Sequence, residues 1–284
     1  MRFVTTAPDL RSGITELRQR GHRIAFVPTM GNLHEGHLQL IRVARQQADG
    51  VVVSIFVNPL QFGPDEDFDS YPRTLDEDKR KLALSDVDLL FAPDEADFYP
   101  RKKEELTFVE VPGISDVLCG EKRPGHFRGV ATVVNRLFNL VQPDVAVFGK
   151  KDYQQLTIIR LMTHDLGLPV EIVGVDTVRE EDGLALSSRN RYLDNTEREI
   201  APVMYQVLRT MADEIRQAGK IRDDVINNAK SKLEQAGFDV DYISIRRPSD
   251  FAEARADDRE LVILIAARLG GTGTRLIDNI ELSF

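Results

Sequence analysis

The sequence predicts an α/β fold, a doubly wound parallel sheet followed by a smaller α+β domain, and two observations support this prediction. Strand-like and helix-like segments alternate over residues 23–175, as parallel strands joined by right-handed helical crossovers require. Beyond residue 178, two helical stretches precede three strand-like ones, an order typical of an α+β domain. At 284 residues and roughly 150 residues per domain, we expect a first domain over 1–176 and a second over 177–284. The polar loop LALSSRN lies near this boundary, which leads us to expect that the second domain closes over a ligand site.

Hydrophobic periodicity and end signals define the elements of the first half. Residues 23–27 and the β-branched run 51–57 are typical of strands buried in a parallel sheet. Asp and Glu residues in the first turn predict a helix that begins near Thr74. The other predicted segments are helix 36–48, strand DLLFAP, helix GVATVVNRLFNLVQ, strand VAVFG, helix DYQQLTIIRLMTHDLG and strand VEIVGV.

The second half is predicted to contain helices over 196–218 and 223–235, followed by strands DYISIRR, LVILIAARL and RLIDNIEL. The glycine-rich segment GGTGT, Gly270 to Thr274, could be mistaken for a phosphate loop. It lacks the lysine of such a loop and precedes a strand, so a turn between antiparallel strands is the better prediction.

Composition excludes several classes of function. A net charge of −9 disfavours nonspecific binding of nucleic acid or of an anionic membrane. The sequence has no apolar run of about 18 residues, so no membrane span is expected. Cys119 is the only cysteine, as in proteins of a reducing compartment, and we interpret it as a thiol without a catalytic task. The expected location is the cytoplasm.

The most informative segment is VPTMGNLHEGH, Val27 to His37, which joins a predicted strand to a predicted helix. Gly31 and Gly36 allow the backbone to approach a ligand closely. The start of the following helix points free N–H groups and a positive dipole end at an anion. His34 and His37 are three residues apart at this helix start, so both can reach the same polyphosphate.

A zinc site is the first alternative for the histidine pair. Zincins place two histidines four apart on an established helix, whereas His34 and His37 are three apart across a glycine. The other histidines are His22, His126 and His164, and they form no cluster in the sequence. Metal binding is therefore disfavoured, and simple helix capping remains the second alternative.

Three further polar motifs are relevant. Two directly follow predicted strands, and the third lies in the loop between the proposed domains. Asn58 and Gln61 in FVNPLQF offer uncharged amides to a neutral or hydroxylated substrate. FGKKDYQQ combines a glycine with two lysines at a strand end, and its Asp152 is a candidate helix N-cap. LALSSRN, residues 184–190, offers two hydroxyls and an arginine to phosphate oxygens. Taken singly, each could be a polar turn, a solvated charge pair or a hinge.

Together these segments resemble one family. VPTMGNLHEGH, SIFVNPLQF, YPRT with the acidic run after it, RPGHFRG, FGKKDYQQ and DGLALSSRN, in this order, are similar to the pantothenate synthetases, the pantoate and β-alanine ligases. The resemblance covers nearly the whole chain and is densest over 27–190. The parent group is the nucleotidyltransferases and class I aminoacyl-tRNA synthetases, whose HxGH signature is matched by His34, Gly36 and His37.

The resemblance implies a Rossmann-like fold and a reaction in two steps. Pantoate carboxylate attacks the α-phosphate of ATP to give pantoyl adenylate and pyrophosphate, and the amine of β-alanine then displaces AMP to give pantothenate. Because charge builds up on phosphate oxygens, fixed donors matter more than a protein nucleophile. The resemblance also implies a homodimer and Mg²⁺ as the partner of ATP.

The resemblance assigns roles residue by residue. His34, His37 and Lys151 are expected to act on the ATP phosphates, with the family's general-acid role on His37. The expected nucleotide contacts are Met30, Gly31, Asn32, Leu33, His34, Glu35, Gly36, His37, Gly149, Lys150, Lys151, Asp152, Val178, Leu186, Ser187, Ser188 and Arg189. The expected pantoate contacts are Gln61 and Gln155, with Gln61 also contacting β-alanine and with Asn58 and Arg123 as further candidates.

Two positions are less sharply defined. Asp78 matches an acidic position of the family on the metal side of the site, but Asp76 and Glu77 are adjacent to it. Lys150 occupies a position that is often acidic in the family, which puts the role of its side chain in question. Two alternative functions also remain, a nucleotidyltransferase with a phosphorylated acceptor and a nucleotide-binding regulator without activity.

Overall fold

The computed structural model describes residues 1–64, 66–255 and 257–283, and the chain forms two compact units. One unit comprises Met1–Lys150 and Ile158–Asp176, and the other comprises Lys151–Thr157 and Thr177–Phe284. Within the part of the chain that is described, no helix has the length and apolar character needed to cross a membrane.

The first unit contains a six-stranded sheet in the order β1-β4-β3-β2-β5-β6, and every pairing is parallel. The predicted α/β class is confirmed. The strands are β1 Arg2–Val4, β2 Ile24–Thr29, β3 Gly50–Ile55, β4 Leu89–Phe91, β5 Val145–Gly149 and β6 Glu171–Val175. The helices are α1 Ala7–Gln19, α2 Glu35–Gln47, α3 Leu75–Ala83, α4 Glu95–Phe98, α5 Cys119–Lys122, α6 His126–Val141 and α7 Tyr153–Asp165, which runs on from the second unit.

The central strands are apolar along their whole length because helices cover both faces of the sheet. In β2, residues 24–27 are fully buried, and residues 51–53 of β3 are likewise buried. Ile41 and Ala44 of α2 pack against one face as part of the same hydrophobic core. The period of the sequence therefore located these elements correctly.

The first strand and helix, β1 and α1, were not predicted. The helix has clear signals: the Thr6 hydroxyl accepts a hydrogen bond from the Asp9 amide at the N-cap, and a proline stands in the first turn. Leu10, Ile14 and Leu17 recur at helical spacing and are buried. The three-residue β1 is too short to show a period.

The second unit contains α8 Asn195–Ile200, α9 Val203–Ala218 and α10 Asp223–Gln235, followed by the strands β7 Phe238–Arg246, β8 Glu260–Leu269 and β9 Arg275–Ser283. The three strands form an antiparallel sheet in the order β7-β8-β9. Residues 270–274 connect β8 to β9, which confirms the predicted turn.

The prediction of one helix over 196–218 is wrong, because the chain breaks between α8 and α9. Pro202 is the N-cap of α9. A proline has no N–H to donate to the preceding turn, and its ring clashes with the carbonyl there, but its fixed φ suits the start of a new helix.

Glu197 ties the start of α8 to the β8–β9 turn. Its carboxylate accepts hydrogen bonds from the Thr272 amide at 2.7 Å, the Thr272 hydroxyl at 2.7 Å and the Asp194 amide at 3.1 Å. The Thr272 amide contributes most to lowering the pKa of Glu197 below its ordinary value, because these donors stabilise the charged form.

We expect Glu197→Gln to lower the free energy of unfolding at neutral pH. A carboxyl group with a lowered pKa stabilises the fold above its unfolded-state pKa, and this contribution is lost as the pH falls through the folded-state pKa. The difference between the parent protein and the variant should therefore shrink on acidification below about pH 4. Urea unfolding at several pH values measures it, and a difference that stays constant from neutral to acid pH would contradict the assignment.

Candidate active site

The candidate site of the first unit lies at the carboxyl edge of the sheet, where β2 has β3 on one side and β5 on the other. This is a topological switch point, since the chain leaves β2 towards one edge and β5 towards the opposite edge. The loop of residues 30–34 follows β2, and Gly149 ends β5. Both histidines and the glycine therefore belong to the same edge of the sheet, as ligand-binding segments of such sheets do.

The loop of residues 30–34 turns through two consecutive left-handed residues, Gly31 with φ 84° and Asn32 with φ 50°. The Thr29 hydroxyl accepts a hydrogen bond from the Gly31 amide and donates one to the Ser54 carbonyl of β3. A Cβ at Gly31 would lie 3.0 Å from the Ile55 side chain, so glycine is required here both for conformation and for space.

Asp78 of α3 holds this loop from below. Its Oδ2 accepts from the Asn32 amide at 2.9 Å, and its Oδ1 accepts from the Leu33 amide at 2.8 Å. The Thr74 hydroxyl lies 3.1 Å from the same carboxylate. Lys81, one turn further along α3, donates to the Leu33 carbonyl at 2.7 Å. Charge-assisted bonds to a fully buried carboxylate thus fix the backbone just before His34.

These bonds give Asp78 a structural role, because both of its oxygens accept hydrogen bonds from the loop and its side chain is fully buried. Among the described residues, no group of three or more His, Cys, Asp or Glu side chains could hold a metal ion. The role we now infer for Asp78 is to position the loop.

His34 and His37 lie together at the start of α2, with His34 as the N-cap and ring centroids 4.1 Å apart. The Nδ1 atom of His37 accepts from the His34 amide at 3.3 Å. An accepting Nδ1 carries no proton, so the neutral ring carries its proton on Nε2. The Nε2–H is then a donor of fixed tautomer at the N-terminus of a helix 13 residues long.

The side-chain amide of Asn58 is buried and bonds to other groups of the protein. It is 1% exposed, its Nδ2 donates to the Gly129 carbonyl at 3.1 Å and to Gln61 Oε1 at 3.0 Å, and its Oδ1 accepts from the Tyr99 hydroxyl at 2.9 Å. Burial raises the pKa of Tyr99, which keeps this donor protonated. Asn58 therefore orients Gln61, whose Nε2 contacts the Met30 sulfur at 3.1 Å.

The Arg123 side chain supports the same segment by binding the main-chain carbonyl of Gln61. It forms a bidentate ion pair with Glu66, with both bonds at 2.6 Å, and it donates to the Gln61 carbonyl at 3.3 Å. His126 Nδ1 lies 2.7 Å from that carbonyl. Burial acts to raise the pKa of Glu66, but the hydrogen bonds and charge of Arg123 outweigh it, and the net shift is downward.

Gly129 of α6 is a functional position that sequence reasoning missed. A Cβ there would lie 2.1 Å from the Leu60 carbonyl oxygen and 2.7 Å from the Gln61 nitrogen. Only glycine therefore allows α6 to pack against the backbone that carries Gln61. The predicted helix began at Gly129, whereas the observed α6 begins three residues earlier, so the glycine did not stand out as one inside a helix.

The two lysines of FGKKDYQQ have different surroundings. Lys150 forms an ion pair with Asp176 at 2.8 Å in the first unit, consistent with a structural rather than a ligand-binding side chain. A Cβ at Gly149 would meet nothing within 4 Å among the described atoms, which leaves room for a ligand against the backbone. In the second unit, the Lys151 carbonyl accepts from Asn279, Asp152 is exposed, and Gln155 is half-buried on α7.

The segment 178–189 of the second unit is a short hairpin. Arg179 and Ala185 form an isolated antiparallel bridge, and the Leu186 amide donates to the Val178 carbonyl at 3.0 Å. Ser187 caps the single-turn helix 188–192 by accepting from the Arg189 amide. The structure thus places Val178, Leu186, Ser187, Ser188 and Arg189 together, half-buried, in this one hairpin and its following turn.

The parallel sheet, the histidine pair at its switch point and the C-terminal antiparallel sheet define a Rossmann-like α/β protein. Comparisons give the particular family. The family model "Pantoate-beta-alanine ligase" matches residues 2–281. The chain belongs to this family, and it is a ligase of pantothenate biosynthesis that joins pantoate to β-alanine.

Curated relatives bear the name pantothenate synthetase. The protein of Shewanella piezotolerans is 55% identical over 271 residues, 95% of either chain, and that of Pseudomonas fluorescens is 53% identical over 283 residues, 100% of this chain and 98% of the other. The crystal structure of pantothenate synthetase from Thermus thermophilus has a TM-score of 0.93 at 46% identity, with complete coverage of both chains. The Francisella tularensis pantoate-beta-alanine ligase, complexed with "Beta-gamma ATP and Beta-alanine", has a TM-score of 0.81 at 36% identity and covers 99% of this chain and 97% of its own.

We predict that Asp78→Asn destabilises the fold by about 1–3 kcal/mol, because one loop amide loses its acceptor inside the protein. Turnover should fall as well, since the displaced loop carries His34. Asp76→Asn is the matched control: it removes the same charge from the first turn of α3 at a side chain that is 95% exposed. Denaturant unfolding and steady-state turnover compare the two variants.

A metal-ligand role for Asp78 predicts a different result. Asp78→Asn would then raise the Mg²⁺ concentration required for half-maximal activity and leave stability at the level of Asp76→Asn. That combination would contradict the positioning role.

Proposed function

We propose that the ligation consumes ATP and proceeds through pantoyl adenylate. The pantoate carboxylate attacks the α-phosphate and pyrophosphate leaves; the amine of β-alanine then attacks the activated carbonyl, AMP leaves, and the amine proton is released. The relative from Francisella tularensis is complexed with an ATP compound and β-alanine, which supports ATP as the co-substrate. Holding the reactants in alignment could supply about 7–11 kcal/mol of barrier reduction.

The proposal rests above all on the histidine pair at the start of α2. Two imidazole rings 4.1 Å apart, on a helix N-terminus at the switch point of the sheet, suit a polyphosphate better than a neutral ligand. His37 donates through Nε2–H to a phosphate oxygen as charge develops on it, and His34 binds beside it. Donors that are already fixed need no reorganisation during the reaction.

The remaining phosphate ligands belong to the second unit. Lys151 offers a mobile point charge and Arg189 a planar fork, and the Ser187 and Ser188 hydroxyls can add hydrogen bonds to phosphate oxygens. Val178, half-buried in the same hairpin, offers an apolar contact for the adenine. The loop of residues 30–37 and the segment 149–152 cradle the nucleotide with backbone amides.

Gln61 and Gln155 bind pantoate through its hydroxyls and carboxylate, and Gln61 also contacts β-alanine. Amides recognise both groups without adding a competing charge. Asn58 and Arg123 act on this pocket through Gln61, because their polar atoms already bind Gln61, Gly129 and Glu66. A nucleotidyltransferase would need a basic pocket for its phosphorylated acceptor. The uncharged amides proposed here do not provide one.

Mg²⁺ accompanies ATP in this proposal, held by phosphate oxygens and water. We assign Asp78 to positioning the loop, since both of its oxygens accept hydrogen bonds from loop amides. We further propose a domain division at residue 176, a cytoplasmic location and a homodimeric assembly.

The most direct test follows AMP release from ATP. With pantoate and β-alanine both present, AMP should appear in a one-to-one ratio with pantothenate, and pantoate alone should support exchange of labelled pyrophosphate into ATP. Exchange that does not depend on pantoate would exclude the adenylate, and ADP in place of AMP would exclude attack on the α-phosphate.

We predict that His34→Ala and His37→Ala each lower turnover about a hundredfold or more, as expected on removing a fixed donor from a developing charge. His164→Ala is the control, because this histidine is 87% exposed on its side chain at the end of α7. Circular dichroism verifies that the variants fold. Near-normal turnover in both loop variants would remove the histidines from the mechanism.

A further inference from the structure

Strand β9 contacts both segments of the second unit to which we have assigned phosphate ligands. We infer that Asp278 and Asn279, adjacent residues of β9, are positioning residues, and that they set the places of Lys151 and of the hairpin 178–189. This inference rests on the proposed function, because it takes Lys151 and Arg189 as ATP ligands. Neither residue of the pair needs to touch the substrate.

Asn279 holds the lysine segment. Its Nδ2 donates to the Lys151 carbonyl at 2.9 Å. Two residues further along β9, Glu281 accepts a hydrogen bond from the Tyr153 hydroxyl at 2.7 Å. Side chains two apart in a strand share a face. One face of β9 thus binds the main chain at Lys151 and the side chain two residues later, which fixes the start of α7.

Asp278 holds the hairpin. It forms a bidentate pair with Arg179, at 2.6 and 2.9 Å, and Arg179 also donates to the Gly183 carbonyl at 3.1 Å. The Arg179 guanidinium stacks 3.6 Å from the ring centroid of Tyr205 in α9. A planar fork held between a carboxylate and an aromatic ring has one orientation, so it anchors the first arm and the turn of the hairpin 178–189.

Neighbouring residues in a strand point to opposite faces. Asp278 and Asn279 therefore reach in opposite directions from one rigid piece of backbone, and the distance between their targets is set by the strand. Both side chains are buried, at 4% and 6% exposure, where an unpaired polar group is costly. The bonds to Arg179 and Lys151 provide partners for the Asp278 carboxylate and the Asn279 amide nitrogen, so a shift of either anchored segment would leave a buried polar group without that partner.

The second unit offers a matched ion pair that lacks this connection. Arg275 of β9 binds Asp241 of β7 at 2.6 Å, and both side chains are 13% exposed. This pair joins two strands of the sheet, and the Asp241 carboxylate pairs with Arg275 and with Arg268. Asp241→Asn therefore removes a largely buried ion pair of the same unit, and we do not expect it to displace Lys151 or the hairpin 178–189.

The test measures binding of β,γ-imido-ATP by calorimetry, so that it does not require turnover. We expect Asn279→Ala to weaken binding about five- to tenfold in the parent protein and less than twofold in a Lys151→Ala background, because the effect passes through Lys151. In an Arg189→Ala background the Asn279→Ala effect should keep its full size. Asn279→Ser, too short to reach the carbonyl, replaces Asn279→Ala if the latter does not fold.

For the hairpin 178–189, the expected dependence on the two backgrounds is the opposite of that for Asn279→Ala. Arg179→Lys keeps the charge but loses the fork; we expect about fivefold weaker binding, absent in the Arg189→Ala background and retained in the Lys151→Ala background. Asp241→Asn should lower Tm and leave the affinity within twofold.

The outcomes separate this inference from the proposed function. If Lys151→Ala and Arg189→Ala alone leave the affinity unchanged, the assignment of phosphate ligands is wrong and the inference fails with it. If they weaken binding but Asn279→Ala and Arg179→Lys have equal effects in every background, the proposed function stands and positioning by β9 is overturned. Loss of affinity in Asp241→Asn equal to that in Arg179→Lys would likewise assign the effect to general stability.

Discussion

The candidate site of the first unit depends on one interaction, the acceptance of two loop amides by the Asp78 carboxylate. The turn after β2 needs left-handed backbone at Gly31 and Asn32, and such a turn leaves its N–H groups without partners in a helix or sheet. A buried carboxylate satisfies both and makes the strained conformation the stable one. The histidines that follow therefore start from a backbone that is already in place, which is the condition for electrostatic preorganisation.

The same principle organises the other segments around the substrates. Gln61 receives its orientation from Asn58 and its backbone position from Arg123, while Gly129 allows α6 to approach closely enough for both contacts. In each case a half-buried side chain proposed to bind a substrate is positioned by polar groups that are themselves bonded to the protein. The supporting hydrogen bonds fix the ligand-binding side chain before the substrate binds, as a preorganised site requires.

The class of the fold and most element bounds could be predicted from the sequence, because they depend on local signals, whereas the segments of the proposed site followed from ordered motifs and a family resemblance. A β-branched run is typical of a buried strand. A histidine pair bracketed by glycines before an amphipathic run indicates a phosphate-binding helix start. The break at Pro202 also had a local signal, but the apolar period of 196–218 continued across it and masked the helix boundary. The short β1 had too few residues for any period to emerge.

What the sequence could not reveal is which polar residue serves which partner. Asp76, Glu77 and Asp78 are adjacent and chemically alike, and only the fold shows that Asp78 is buried under the loop while Asp76 is 95% exposed. Asp278 and Asn279 did carry a signal, two consecutive polar residues inside an apolar strand pattern, which local propensity disfavours. Such a violation of the pattern predicts that distant polar groups satisfy the buried side chains. Only the fold shows that these groups are the Arg179 guanidinium and the carbonyl of Lys151, which lies 128 positions before Asn279.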